Sequence, residues 1–407
     1  MLDESLLDAP EALARADVRG LLRGAAESGA RVRTAARYAA EAGVADLKPD
    51  GRPRSVLVAG PGAAGSCTAD LLGALSGNNC PVSLIAPTGV APAPGALRWT
   101  LPGWAGPLDL LLLVTPDGAE PGLPPLVEQA YRRGCSIVAV APAHSPLAGA
   151  VEQARGLMVP LAAGPYNNNS APYDTAPPAP AGTPQAEGQH TEPTGTAPDE
   201  VTGPALPGTL WGLLTPLLVL VDRIGLVAAP PSVLQQVADR LDQVAERCGP
   251  AIATYTNPAK ALAAELAGSL PLLWTEGPVA AAAGRRFASL LALLAGRPAL
   301  VAELPGALAA HGALLAGSLA GGADPDDFFR DRVEEAEALR ARVVLLYDEQ
   351  VSALSAVPTA RELALAHDTA LSELEPGGGG VLENAAELLA ITDFAAVYLA
   401  LASTERS

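Results

Sequence analysis

The sequence predicts an α/β protein with two similar units, each a parallel sheet of about five strands flanked by helices. Two observations support this fold class. Short, uninterrupted apolar runs alternate with helical patterns, which is typical of parallel strands covered on both faces. A stretch rich in Pro, Ala and Thr, residues 166–205, has almost no large aliphatic side chains and divides the 407 residues into two pieces.

The first piece opens with helical patterns over 3–45. Strands are then predicted at five apolar runs: Ser55–Gly60, Val82–Ala86, Asp109–Val114, Ser136–Val140 and Leu157–Leu161. The second piece has helical patterns over 209–247, and its strands are predicted at Ala251–Tyr255, Pro271–Trp274, Ala299–Ala302 and Val343–Tyr347. The tail, Leu382–Ala402, predicts an amphipathic helix.

These patterns predict an N-terminal domain with leading helices over 1–165, a disordered linker over 166–205 and a C-terminal domain over 206–407. The linker has too little apolar surface to offset the entropy of ordering it. The apolar run 206–221 contains two prolines and is shorter than the ~20 residues of a membrane span. A buried helix is therefore favoured there.

Composition argues against several classes of partner. The formal net charge is −18, which disfavours nucleic acids, whose phosphates are bound by excess Lys and Arg, and anionic membrane surfaces. The four cysteines show no metal-ligand or disulfide spacing, and the acidic N-terminus shows no signal-peptide pattern. We therefore expect a cytoplasmic protein without a metal site.

A glycine-rich turn, GPGAAGSCTAD, follows the first predicted strand and opens a helix. Glycines let a backbone approach a ligand closely, and helix N-termini bind anions such as phosphate. Gly60, Gly62, Gly65 and Ser66 are therefore candidate phosphate ligands. A dinucleotide site is disfavoured, because the next strand ends in Ala86 without the acidic residue that such a site uses. A tight turn without a ligand is the alternative.

Two further junctions of loop or strand with helix carry polar residues. In NPAKALAAEL, Lys260 lies in the first helical turn, where the helix dipole disfavours a cation unless an anion is near. In WTEGPVAAAAGRR, Thr275 and Glu276 precede a helix that carries Arg285 and Arg286. Lys260, Thr275 and Glu276 are candidate ligand-binding residues. The alternatives are a solvated lysine and arginines on the surface of an amphipathic helix.

Together these segments resemble the sugar isomerase (SIS) domain superfamily. The whole chain is similar to the bifunctional phosphoglucose/phosphomannose isomerases, which have two SIS domains and form dimers. GPGAAGSCTADLL stands where that family has a GxGGS-type turn, and LLLVTPDGAEPGLPPLVEQAYRRGCSIVAV where it has a strand–SGNTEET–helix–strand unit. NPAKALAAELAGSLPLLWTEGP tracks the family's NPAK stretch, and FAAVYLAL its closing helix. The resemblance implies two tandem SIS domains, a sugar phosphate or related small molecule as ligand, no cofactor, and a homodimer.

The chain departs from the family at the residues that the resemblance would assign to the site. The SGNTEET hydroxyls that bind phosphate are replaced along 117–123, so Thr115 and Ser66 are the remaining hydroxyl candidates. The position closest to the catalytic glutamate is His311, which is a candidate base. The family's ring-opening histidine and C-terminal lysine have no counterpart.

Two functions stay open. One is a divergent phosphosugar isomerase-like protein that binds a carbohydrate derivative with impaired or altered catalysis. The other is a non-catalytic SIS sensor or scaffold that acts through a sugar nucleotide or a protein partner. A dinucleotide-dependent oxidoreductase is disfavoured by the missing acid and by the twin-domain pattern.

Overall fold

The computed structural model describes residues 3–49, 51–89, 97–161, 207–317, 319, 340–348, 352–375 and 377–403. The segment 166–205, predicted to be a linker, lies outside these residues, and the domain boundaries drawn from it stay a prediction. Within the described ranges the chain forms two parallel sheets flanked by helices. The predicted α/β class is therefore confirmed.

Four leading helices precede the first sheet. They are α1 (Glu4–Leu7), α2 (Pro10–Ala16), α3 (Leu21–Ala26) and α4 (Ser28–Glu41). The Asp17 carboxylate accepts from the backbone N–H groups of Leu21 and Leu22 at 2.6 and 2.9 Å, which satisfies two donors at the start of α3. Helix α4 packs mainly against the helices at 209–223 and 231–247. The leading helices therefore join the two halves of the chain.

The first sheet contains all five predicted strands. Its elements are β1 (Ser55–Ala59), α5 (Gly62–Ser76), β2 (Val82–Leu84), β3 (Asp109–Val114), α6 (Leu123–Arg132), β4 (Ser136–Ala141), α7 (Pro146–Gln153) and β5 (Leu157–Pro160). The strands lie parallel in the order β2-β1-β3-β4-β5. The winding direction reverses between β1 and β3. In such open sheets, ligands bind in the crevice at the carboxyl ends of the strands at that point.

The second half begins with the helices α8 (Thr209–Arg223), α9 (Pro231–Arg247) and α10 (Pro258–Leu266), and then builds the second sheet. The sheet elements are β6 (Ser269–Glu276), α11 (Pro278–Ala295), β7 (Leu300–Glu303), α12 (Gly306–Ala316), β8 (Arg340–Tyr347), α13 (Val357–Ala366), β9 (Ala370–Leu374) and α14 (Val381–Ala402). In the described part of the chain this sheet has four parallel strands, ordered β7-β6-β8-β9. Its winding reverses between β6 and β8.

The strand predicted at Ala251–Tyr255 is wrong, because this segment is a loop that ends in a 3-10 turn at Thr254–Thr256. The ammonium of Lys260 donates to the carbonyl oxygens of Pro250 and Ile252 at 2.8 and 2.7 Å. These backbone groups bond to a side chain instead of a neighbouring strand, so the segment does not extend the sheet.

The amphipathic pattern predicted for the last helix is also wrong, because α14 is buried along most of its length. Residues of α14 pack against α9, α10 and α11, and 89% of its most apolar stretch of 18 residues is buried. Among the described residues, helices α11 and α14 are long and apolar enough to cross a membrane by length and composition, yet α14 is mostly buried in the protein and α11 is 56% buried. The predicted buried helix at 206–221 is confirmed as α8, most of whose residues are buried.

The two halves share one hydrophobic core, and α5 lies directly against α11. These helices hold equivalent places in the two halves, because α5 follows β1 and α11 follows β6, and β1 and β6 are the first strands of their sheets in chain order. Arg286 of α11 makes a buried bidentate ion pair with Asp393 of α14, at 2.8 and 2.7 Å. Arg285 reaches across to Asp70 of α5, at 2.7 Å. One buried ion pair thus joins α11 to α14, and one more exposed ion pair joins α11 to α5.

Candidate functional site

Packing explains two glycines of the first turn, and backbone conformation explains a third. A Cβ at Gly60 would lie 2.1 Å from the carbonyl oxygen of Val114, and a Cβ at Gly65 would lie 2.9 Å from that of Gly60. Gly62 has a φ of 67°, a conformation that favours glycine. The turn between β1 and α5 therefore touches the end of β3 directly, at the point where the resemblance places a phosphate.

The hydroxyl of Thr115, at the end of β3, is used within its own turn. It donates to the Asp117 carboxylate at 3.0 Å and accepts from the Gly118 N–H at 3.0 Å. The same Asp117 oxygen accepts from the Ala119 N–H at 3.0 Å. Thr115 is completely buried. The acidic residue that replaces a family hydroxyl therefore satisfies this loop from within.

The second sheet has a carboxylate at its own crevice. Asp348 follows β8, and one of its oxygens accepts from the N–H groups of Val279 and Ala280 at 2.7 and 3.1 Å. Those donors lie in the first turn of α11, where a helix binds anions. Gly277 allows the approach, because a Cβ there would lie 1.8 Å from the Asp348 carboxylate. A side chain thus stands where an anionic ligand would.

Glu276 makes the reciprocal contact. It ends β6, and its carboxylate accepts from the Ser355 hydroxyl at 2.5 Å and from the Ala356 N–H at 2.6 Å, immediately before α13. The acid that ends β6 therefore holds the helix after β8, and the acid that follows β8 holds the helix after β6. This arrangement, which we call the crossed carboxylates, consists of Glu276 and Asp348.

The other residues predicted for the second half make structural contacts. Thr275 is 1% exposed and packs beneath Gly284 of α11, where a Cβ would lie 2.7 Å from its methyl group. Lys260 is completely buried, and besides its two carbonyl bonds it lies 5.5 Å from the ring centroid of Tyr398. Burial lowers the pKa of this lysine, an effect that the charge of Asp8 partly offsets.

His311 lies on α12 beneath the second sheet. Its Nδ1 accepts from the indole N–H of Trp274 at 2.8 Å, so the imidazole is neutral and carries its proton on Nε2. Burial lowers the pKa of His311, which favours the same state. The role of His311 as a proton-transfer base stays a prediction, and the contact that it makes in the structure supports Trp274.

Two clefts lie near these residues. One of about 420 Å³ is lined mainly by aliphatic side chains from α5, from 227–233 and from the starts of α11 and α14, with Asp348 as its charged residue. The other, of about 280 Å³, lies between α5 and α11 and is lined by Ser66, Asp70, Arg285, Arg286 and Ser289 together with Cys67 and Val301. We call the second one the interhelical cleft. Ser66 lines it, whereas the crossed carboxylates, Thr115, Lys260 and His311 do not.

Sequence reasoning did not single out Asp348, Asp70 or Ser289. An acid directly after the strand Val343–Tyr347 was a usable signal for Asp348, because strand ends converge at the crevice of a parallel sheet. Asp70 and Ser289 carry no such signal, since their importance depends on two helices meeting across the halves of the chain.

Comparison with known families places this architecture. Residues 255–404 match the family described as the bacterial phospho-glucose isomerase C-terminal SIS domain. This part of the chain is similar to a SIS domain. The resemblance predicted from the sequence is thereby confirmed. No curated protein matches the chain in sequence.

Three solved structures are similar over most of the chain. Hypothetical protein TT0462 from Thermus thermophilus is 13% identical, with a TM-score of 0.57, over 98% of this chain and 89% of its own. The C-terminal domain of glucosamine-fructose-6-phosphate aminotransferase from Francisella tularensis is 9% identical, with a TM-score of 0.53, over 93% and 95%. A protein from Silicibacter pomeroyi, provisionally described as a phosphosugar isomerase, is 14% identical, with a TM-score of 0.53, over 93% and 96%. At these identities the likeness shows the fold alone, which is two parallel sheets flanked by helices and is consistent with tandem SIS domains.

Proposed function

We propose that this chain is a phosphosugar isomerase-like SIS protein that binds a carbohydrate derivative without isomerising it. The observation that carries the proposal is that carboxylates of the chain itself accept hydrogen bonds from the hydroxyl and backbone N–H groups at both crevices. Asp117 bonds the hydroxyl of Thr115, and the crossed carboxylates Glu276 and Asp348 occupy the starts of α13 and α11. A phosphate entering either crevice would meet a carboxylate.

The chemistry of isomerisation supports the same proposal. Moving a carbonyl between C1 and C2 of a sugar needs a base within hydrogen-bond reach of the substrate carbon. His311 is the residue closest to the family's base in sequence, and it is 7% exposed with one ring nitrogen bonded to Trp274. A buried, neutral imidazole that supports an indole is a poor proton shuttle.

A coupled assay tests the catalytic half of the proposal. Glucose 6-phosphate and mannose 6-phosphate are supplied with an enzyme that consumes fructose 6-phosphate, and a known isomerase is the positive control. We expect no turnover above buffer. Turnover that follows the protein through purification and disappears in a His311→Gln variant would overturn the proposal of a silent protein.

Thermal unfolding tests the binding half. A ligand that binds only the folded state increases the free energy of unfolding, by about 2.7 kcal/mol at one hundred times its Kd, and so raises the melting temperature. We expect phosphorylated monosaccharides to raise the melting temperature more than their unphosphorylated counterparts. A flat response to the full series would count against small-molecule binding.

A scaffold that acts through a protein partner is the second candidate, and a surface patch favours it. Three large side chains are exposed before the amino-terminal ends of β3 and β4: Trp104 is 53% exposed, Leu108 68% and Tyr131 54%. The guanidinium of Arg54 lies 5.8 Å from the Trp104 ring centroid. Trp, Tyr and Arg are enriched at binding hot spots. A homodimer and a cytoplasmic location also remain proposals, and sedimentation of the Trp104→Ala variant against the wild type tests whether this patch joins two copies.

A further inference from the structure

We propose that the interhelical cleft between α5 and α11 is a binding site for a small polyhydroxylated anion, with Arg285 as the anchor of its charged group. The inference rests on the proposed carbohydrate-binding function and gives it a location different from the sheet crevices. The cleft is lined by both halves of the chain, through Ser66 and Asp70 on α5 and through Arg285 and Ser289 on α11.

Arg285 has donors to spare. Its Nε donates to Asp70 at 2.7 Å and its Nη1 to Glu303 at 2.9 Å. A guanidinium has five N–H donors, and the described residues accept from only these two nitrogens. The planar fork of the remaining N–H groups matches the oxygens of a phosphate or carboxylate. Its neighbour Arg286 is not the anchor, because Asp393 holds it in a buried bidentate pair.

The existing ion pairs of Arg285 do not prevent an anion from binding. Its side chain is 43% exposed, and the carboxylates of Asp70 and Glu303 are 31% and 62% exposed. Ion pairs that are this open to solvent contribute little and are screened by salt. Glu303 can therefore turn to water when an anion arrives. Asp70 remains as an acceptor for ligand hydroxyl groups.

The two serines supply further polar groups. The Ser66 hydroxyl donates to the Ala63 carbonyl at 3.1 Å, and the Ser289 hydroxyl donates to the Arg285 carbonyl at 2.9 Å. Both are bonds back onto their own helix, which are weak and can exchange for a ligand. The cleft thus offers a cation, a carboxylate and two hydroxyls, a set that suits a molecule with one anionic group and several hydroxyls.

Size and charge decide between this cleft and the larger one. The interhelical cleft, at about 280 Å³, lies just below the ~300–1,000 Å³ of pockets for drug-sized ligands. It therefore fits a monosaccharide with a phosphate or carboxylate better than a nucleotide sugar. The cleft of about 420 Å³ is walled by aliphatic side chains and Asp348, which disfavours an anionic sugar there.

Isothermal titration calorimetry at low ionic strength tests the site with four probes: glucose 6-phosphate, gluconate, glucose and inorganic phosphate. We expect the two charged sugars to bind the wild type at least ten times more tightly than glucose. The variant Arg285→Gln should lose at least tenfold affinity for them. A matched control is Arg132→Gln, which removes an exposed ion pair with Glu128 on α6 and should bind as the wild type does.

A second variant separates the two roles in the cleft. Asp70→Asn removes a negative charge but keeps a hydrogen-bonding oxygen, so inorganic phosphate should bind more tightly than to the wild type. The preference for glucose 6-phosphate over phosphate should fall at least threefold, because a carboxylate accepts from hydroxyls more strongly than an amide. Circular dichroism of each variant verifies that the fold is retained.

The outcomes distinguish the two proposals. If the wild type binds a charged sugar and Arg285→Gln binds it within twofold of the same affinity, the cleft is not the site, and the proposed function stands. If the wild type binds none of the four probes, both the small-molecule function and this location fail. Equal binding of phosphate and the charged sugars overturns the claim that hydroxyl groups are recognised.

Discussion

Replacing Asp348 by alanine should destabilise the protein and open an anion site. The carboxylate accepts two backbone N–H groups of α11, from Val279 at 2.7 Å and Ala280 at 3.1 Å, and both residues are buried. Hydrogen bonds to charged groups contribute about 1.5–3 kcal/mol each. The favourable field of a helix N-terminus, up to ~2 kcal/mol, is part of the same contact and is not added.

We therefore expect Asp348→Ala to lower the free energy of unfolding by about 3 kcal/mol, since water partly replaces the lost acceptor. For a chain of 407 residues that unfolds as one unit, ~2.1 cal/mol/K of unfolding entropy per residue gives about 1 °C per kcal/mol, so the melting temperature should fall by about 3–4 °C in scanning calorimetry. Asp348→Asn keeps an acceptor oxygen without the charge, so its loss should be nearer ~1 kcal/mol. Glu128→Ala, which breaks only an exposed ion pair, should change the stability by less than ~0.5 kcal/mol.

Phosphate should then rescue the alanine variant. The vacated N–H groups of α11 can bind an anion, and phosphate at ten times its Kd would restore about 1.4 kcal/mol. The wild type, measured in the same phosphate and compared with sodium chloride of equal ionic strength, corrects for the general stabilising effect of phosphate. A loss below ~1 kcal/mol, or equal phosphate effects on variant and wild type, would refute the reasoning.

Three further predictions concern buried side chains. Asp393→Leu should cost about 3–5 kcal/mol by leaving Arg286 unpaired, and adding Arg286→Met should recover most of that loss in urea unfolding. Lys260→Met should cost about 2 kcal/mol, because two carbonyls lose their donor. Because burial lowers the pKa of His311 below its ordinary 6.5, the unfolded state binds more protons below that pH. The contribution of His311 to the free energy of unfolding is therefore complete above pH 6.5, and it is lost as the pH falls from 6.5 to the lowered pKa of the folded state.

Matched variants decide these three cases. For His311, the variant His311→Gln should lack the loss between pH 6.5 and the lowered pKa, and Trp274 fluorescence reports the same transition locally; parallel stability curves for variant and wild type would contradict the assignment. For the buried pair, if Asp393→Leu with Arg286→Met is no more stable than Asp393→Leu alone, the pair does more than neutralise charge. For Lys260→Met, an unchanged midpoint of urea unfolding would mean that water replaces the ammonium as the donor to the two carbonyls.

Much of the first sheet was predictable because its central strands, β1, β3 and β4, are buried on both faces. Runs such as Asp109–Val114 are continuous and apolar, so their pattern needs no tertiary information. The strand Ala370–Leu374 was not predicted, since an edge strand has fewer covered positions and this one carries Ser372 and Glu373. The loop Ala251–Tyr255 has a strand-like composition, but Lys260, whose ammonium bonds to the carbonyls of Pro250 and Ile252, comes later in the chain.

The candidate site was predictable only in part, because its decisive contacts join distant segments. Glycine turns and the NPAK helix start can be recognised locally, and they led to Gly60, Ser66 and Lys260. The pairing of Asp348 with α11 spans 69 residues, and that of Arg285 with Asp70 spans 215. No local pattern gives the register in which those segments meet.

The same contacts explain why a glycine pattern can outlast the ligand chemistry with which a family associates it. Gly60 must be glycine because the Val114 carbonyl leaves no room for a Cβ, and Gly277 because the Asp348 carboxylate lies against it. Both requirements come from packing and hold whether or not a ligand binds. A hydroxyl that only contacts substrate has no such structural role, so its loss costs the fold nothing. Replacement by an acid then stabilises the loop itself, as Asp117 does by accepting the Ala119 N–H.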